Sequence, residues 1–179
     1  MASGGGHVGA PVTVLRQALA RNLAQIQRSW YMFYFQSALA EAAIPENNYA
    51  LIEMLWQDWS PGFKSKEDLE NFKQCVASPS HLKAALGYYR ASVGSGKRLE
   101  AYNALEATGL EPLKQAALYL HGKKDGCIGV ELAEETRRTC PWLEVRVLDE
   151  VGHFMQLENP QLVNQHILAW VTDGKQVQI

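Results

Sequence analysis

Apolar residues in the first half of the chain recur at helical spacing. Leu15, Leu19, Leu23, Ile26, Trp30, Phe33 and Tyr34 fall on one helical stripe that begins near Val12. A second helix is predicted from Asn48 to Asp58, with Leu51, Ile52, Met54, Leu55 and Trp56 as its apolar positions, and Ser60-Pro61-Gly62 stops it. A third starts with Ser65 as N-cap and Asp68 three residues on, and carries Leu69 and Phe72. A fourth runs from about Ser80 to Ala91. No strand is expected between Val12 and Gly94.

The second half changes period. Lys114 to Leu120 is a short apolar run that ends in the polar turn His121-Gly122-Lys123-Lys124-Asp125-Gly126. A helix follows from about Gly129 to Thr139. Leu143 to Leu148 forms a second strand, ended by Gly152. A last helix starts after Pro160 and carries Leu162, Val163, Ile167, Leu168 and Trp170. Strand, turn, helix, strand, turn, helix is the order of a parallel sheet covered by helices, so the fold class is α/β.

The 179 residues suffice for one core, and 47% hydrophobic residues is ordinary for a globular protein. Seventeen Lys and Arg against nineteen Asp and Glu give a net charge of -2, which leaves no basic footprint for nucleic acid or an anionic membrane. Cys75, Cys127 and Cys140 are too few and too scattered for a disulfide scaffold or a zinc site. No cofactor and no metal is expected. The glycine-rich start has no basic segment followed by an apolar one, and no apolar run reaches the roughly 18–20 residues of a spanning helix. A cytoplasmic protein is the expectation.

Ligand sites of open α/β sheets gather beyond the carboxyl ends of the strands. Asp125 follows the first strand and His153 the second. Neighbouring parallel strands bring such loops together. A carboxylate on one imidazole nitrogen fixes the tautomer and steadies the imidazolium formed when the other nitrogen takes a proton. The plainer reading of Asp125 is turn chemistry, and of Gly152-His153 a structural loop.

Leu118 to Asp125 resembles the acid-bearing strand and turn of α/β-hydrolases, and Val151 to Pro160 resembles their catalytic histidine loop. The segment Ser29-Trp30-Tyr31-Met32-Phe33-Tyr34-Phe35-Gln36 is similar to a cap helix of the epoxide hydrolase and haloalkane dehalogenase branch, and Gly87-Tyr88-Tyr89-Arg90 resembles its second cap motif. The resemblance implies a partial α/β-hydrolase fold: a leader over 1–11, a helical cap over 12–110, and the last two parallel strands with covering helices over 111–179. It implies Asp125 and His153 as the acid–histidine pair, and Tyr31 and Tyr89 as phenol donors to an epoxide oxygen, which becomes an alkoxide as the ring opens. Tyr88 competes with Tyr89 for that role, and dense aromatic residues are also ordinary core. Trp30, Trp56 and Trp59 keep halide binding open.

Relatives of that kind carry a nucleophile on a strand–turn–helix elbow before the cap. In the epoxide hydrolase branch it is an Asp, which forms an ester that His-activated water cleaves. No Gly-x-Ser-x-Gly or Gly-x-Asp-x-Gly sequence occurs here. The expectation is therefore a truncated hydrolase with an unpaired inner strand edge, prone to self-association or to pairing with a nucleophile-bearing half. A small apolar substrate such as an epoxide fits a completed site. A non-catalytic remnant or interaction module and a binder without turnover are the alternatives. Gly94-Ser95-Gly96-Lys97 is a poor phosphate loop, since Ala91 stands where the first Gly is needed. His81, His121 and His166 are isolated, and Cys127 reads as a packed thiol.

Overall fold

The structure, a computed structural model, describes residues 7–8, 11–64, 66–93, 99–102 and 115–172. The Ser65 cap, the Gly94–Lys97 loop, Lys114 and the rest of the 1–10 leader lie outside them.

Three parallel strands form one sheet in the order β1 (His7–Val8), β2 (Ala117–Gly122), β3 (Leu143–Leu148). The β2–β3 register runs from Ala117 opposite Leu143 to Gly122 opposite Leu148. The third strand is a departure from the sequence reading, which gave two strands and a flexible leader. His7 and Val8 pair with Tyr119 and Leu120. The physical reason is the edge itself: β2 held by β3 alone offers a row of unpaired amides and carbonyls, and a short extended segment satisfies some of them.

The first helical stripe is broken in three. Helix α1 spans Val12–Arg21, α2 Leu23–Arg28 and α3 Trp30–Tyr34. Asn22 causes the first break, because its extended backbone and its Oδ1, which accepts from the Gln25 amide, start a new helix. The break shifts the helical phase. Leu23, expected in the stripe, is 81% exposed, whereas Gln25 and Ser29 are fully buried.

Helix α4 (Leu39–Ala43) was not foreseen. Helix α5 (Glu46–Trp59) begins with left-handed backbone at Asn47, Asn48 and Tyr49, so its regular part starts later than Asn48. Helices α6 (Lys66–Val76) and α7 (Pro79–Val93) match the expected third and fourth. After β2 come α8 (Val130–Thr139), β3, the short α9 (Met155–Glu158) and α10 (Pro160–Thr172).

The core lies in three clusters. One, inside helices α3 to α7, joins Tyr31, Phe35, Ile44, Leu55 and Leu86 to Cys127. A second sets Leu118, Leu120 and Leu148 against Met155 and Val163. The third joins Val14 of α1 to Leu132 and Cys140, so α1 leans on α8. Among the described residues no helix is long and apolar enough to cross a membrane.

Candidate active site

Strand β2 ends at Gly122, and the turn after it is stitched to the end of β3: Lys123 N donates to Leu148 O (2.8 Å) and Lys124 N to Val151 O (2.9 Å). These bonds bring the acid turn and the histidine loop together. His153 Nδ1 lies 3.0 Å from Asp125 Oδ2. The other carboxylate oxygen, Oδ1, accepts from Cys127 N (2.7 Å) and Ile128 N (2.8 Å). Asp125 is thus fixed at both oxygens in a buried position, while the His153 side chain keeps 31% of its surface exposed.

One backbone carbonyl holds both loops. Trp59 O, at the end of α5, accepts from Gly126 N (3.0 Å) and from His153 N (3.1 Å). The Trp59 ring stands edge-on to His153 with centroids 5.5 Å apart, and packs on Tyr31 at 4.8 Å. Ser60 and Glu158 add a second clasp: Phe154 N donates to Ser60 Oγ, Ser60 Oγ donates to Glu158 Oε1 (2.7 Å), and Gly152 N donates to Glu158 Oε2 (2.8 Å). At Gly126 a Cβ would sit 1.8 Å from Asp58 O, so only glycine permits this approach.

Tyr31 and Tyr89 come together, with ring centroids 5.8 Å apart in an edge-to-face pair. Tyr31 is buried and Tyr89 packs against the same cluster, whereas Tyr88 points outward and is 76% exposed. Tyr31 Oη lies 3.3 Å from Cys127 Sγ. Burial raises the Tyr31 pKa, and the charges of Cys127, Tyr89 and Asp125 add to the rise. Burial pushes Tyr89 up to about 12, helped by Cys127 and Tyr88. Both phenols therefore keep their protons at neutral pH.

At His153 burial works against the charged form. Hydrogen bonding to Asp125 and Cys127, together with their charges, outweighs it and pushes the pKa up to about 10. His121 differs: burial lowers its pKa, with Asp125 opposing the fall. Its Nδ1 bonds Tyr119 Oη at 2.7 Å and its Nε2 has no partner. Asp125, Cys127 and His153 are the one group of possible metal donors found among the described residues, with ligand atoms within 4.8 Å of one another. Two of the three already bond each other, so a metal would have to displace that bond.

No family model matches the chain. It is 30% identical over 146 residues to the AB hydrolase superfamily protein YfhM of Bacillus subtilis (strain 168), covering 80% of this chain and 48% of that protein. It is 24% identical over 159 residues to Epoxide hydrolase 1 of Caenorhabditis elegans, covering 85% of this chain and 37% of that one. The fold superposes on the Bacillus megaterium epoxide hydrolase solved with an inhibitor, with a TM-score of 0.62, 21% identity and 89% of this chain against 56% of that chain. In sequence the chain is thus similar to α/β-hydrolases and epoxide hydrolases, and its fold is that of part of an α/β-hydrolase. It spans about half the length or less of these relatives.

Within that superfamily fold, residues that the sequence did not single out hold the acid turn in place. Buried Gln25 donates from Nε2 to Cys127 O (2.9 Å) and Ser29 Oγ (2.8 Å), and accepts from Gly129 N (2.9 Å). Gln25 and Trp59 were missed as site-holding residues because each acts through backbone groups far away in sequence, and Glu158 because one of its partners, Ser60 Oγ, is equally remote. The available hint was a Gln and a Ser four residues apart, on one face of a helix.

Proposed function

We propose that this chain supplies the acid–base and electrophile-binding half of an epoxide-hydrolase-like site. The observation that carries the reading is the 3.0 Å Asp125–His153 contact beneath a roof that contains Tyr31, Tyr89 and Trp59. In this mechanism a small apolar epoxide sits against the aromatic side chains. Tyr31 and Tyr89 donate to its oxygen as the ring opens. Asp125 holds Nδ1 of His153, and the unprotonated fraction of the imidazole, which grows as pH rises toward 10, activates the water that resolves the covalent ester.

No elbow sequence occurs in these residues, so the attacking carboxylate comes from another polypeptide segment. The test is diol formation from an aryl epoxide, with the chain alone and with a co-expressed nucleophile-bearing half of a relative. Turnover should need both halves and should vanish with His153→Ala. Turnover that survives both His153→Ala and Tyr31→Phe would refute the reading.

A second reading rests on the sheet edge. Among the described residues, β1 pairs with β2 at Tyr119 and Leu120 only, although β2 runs over Ala117–Gly122. The chain then acts as a module that pairs through that edge. A monomer at high concentration with one sharp melting transition would argue against it.

A further inference from the structure

Cys127 has a setting that the hydrolase mechanism does not use. Its sulfur lies 3.3 Å from the Tyr31 hydroxyl, and its Sγ, an Asp125 oxygen and a His153 nitrogen all fall within 4.8 Å of one another. Its backbone is pinned on both sides, by the amide on Asp125 Oδ1 and the carbonyl on Gln25 Nε2. A thiol beside an imidazole that a carboxylate orients is the arrangement that activates sulfur as a nucleophile. Cys140 provides an internal comparison. It is just as buried, at 3% exposure each, but packs among Val14 and Leu132, away from the histidine. Cys75 is exposed.

We propose that Cys127 is a covalent-capture site for small carbon electrophiles, taking a haloamide or an epoxide onto its sulfur as a permanent thioether. The Asp125 bond keeps a proton on Nδ1, so the thiol proton passes to Nε2. With a haloacetamide, the S–C bond forms, the C–halogen bond breaks, halide leaves, and the imidazolium later returns its proton to water. With an epoxide, the S–C bond forms and one ring C–O bond breaks. The oxygen keeps the bonding pair and takes the proton from the imidazolium, which leaves His153 neutral. A thioether has no acyl carbon for water to attack, so capture happens once per chain. The raised pKa of His153 supports the ion pair that the first step needs. The inference stands without the proposed hydration reaction, because the capture step requires no second carboxylate.

The test is timed labelling of the native chain with iodoacetamide, followed by digestion and mass mapping of the three cysteines. Cys127 should label at least tenfold faster than Cys140. Its rate should fall less steeply below pH 7 than that of the exposed Cys75. His153→Gln, with the fold checked by circular dichroism, should bring Cys127 down to the Cys140 rate. Equal labelling of Cys127 and Cys140 in the unaltered chain would overturn the proposal. So would a Cys127 rate that tracks Cys75 with pH and ignores His153→Gln. Neither of these outcomes bears on diol formation, so failure here and failure of the hydrolase reading are separable.

Discussion

Replacing Gln25 by Ala tests how the acid turn is held. The Gln25 amide is fully buried and serves two backbone groups of that turn, Cys127 O and Gly129 N, besides Ser29 Oγ. In the variant both backbone groups stay buried without partners. An orphaned buried polar group costs about 1–3 kcal/mol, so two cost about 2–6 kcal/mol, and partial relaxation favours the lower half of that range. We expect a loss of about 3 kcal/mol. For a chain of this size that is a fall in melting temperature of about 6–12 °C. Gln27→Ala, on the exposed face of the same helix, should stay within about 0.5 kcal/mol. Urea unfolding followed by fluorescence gives both numbers. A Gln25→Ala loss no greater than that of Gln27→Ala would refute the claim that this side chain supports the turn around Asp125.

Three further outcomes follow from the same geometry. Gly126→Ala forces a Cβ against Asp58 O and should cost about 1–3 kcal/mol by overpacking, read as a lower urea midpoint at unchanged slope. Glu158→Ala removes the acceptor of both Ser60 Oγ and Gly152 N and should cost about 1–3 kcal/mol, while Glu134→Ala on the surface of α8 should cost far less. His153 has its folded pKa raised to about 10, so its stabilising contribution is complete below the unfolded value near 6.5 and is lost as pH rises toward 10. Melting curves at pH 6 and pH 9.5 should show that loss in the unaltered chain and a smaller one in His153→Gln.

The second half was legible because its physics is local. Leu143–Leu148 is a strand over the residues expected, and the strand-end rule lets Asp125 and His153 meet, as their side chains do at 3.0 Å. The first half was legible in its helices and less so in its phase. A stripe through Leu23 assumes one continuous helix, but Asn22 restarts the helix and turns Gln25 inward. Periodicity counts apolar residues, so it passes over a buried Gln whose partners lie on the acid turn. The left-handed backbone at Asn47–Tyr49 lies in the same blind spot: Asn tolerates that conformation, but nothing in the pattern demands it. The outward turn of Tyr88 and the inward turn of Tyr89 were a choice that only packing decides.

The proposed chemistry stands on the pairing of the Asp125 side chain with the His153 imidazole. An NMR titration of the His153 ring, in the unaltered chain and in Asp125→Asn, measures that pairing directly. The expected result is a His153 midpoint far above 6.5, near 10, that falls in Asp125→Asn. A midpoint near 6.5 that the substitution leaves unchanged would contradict the account.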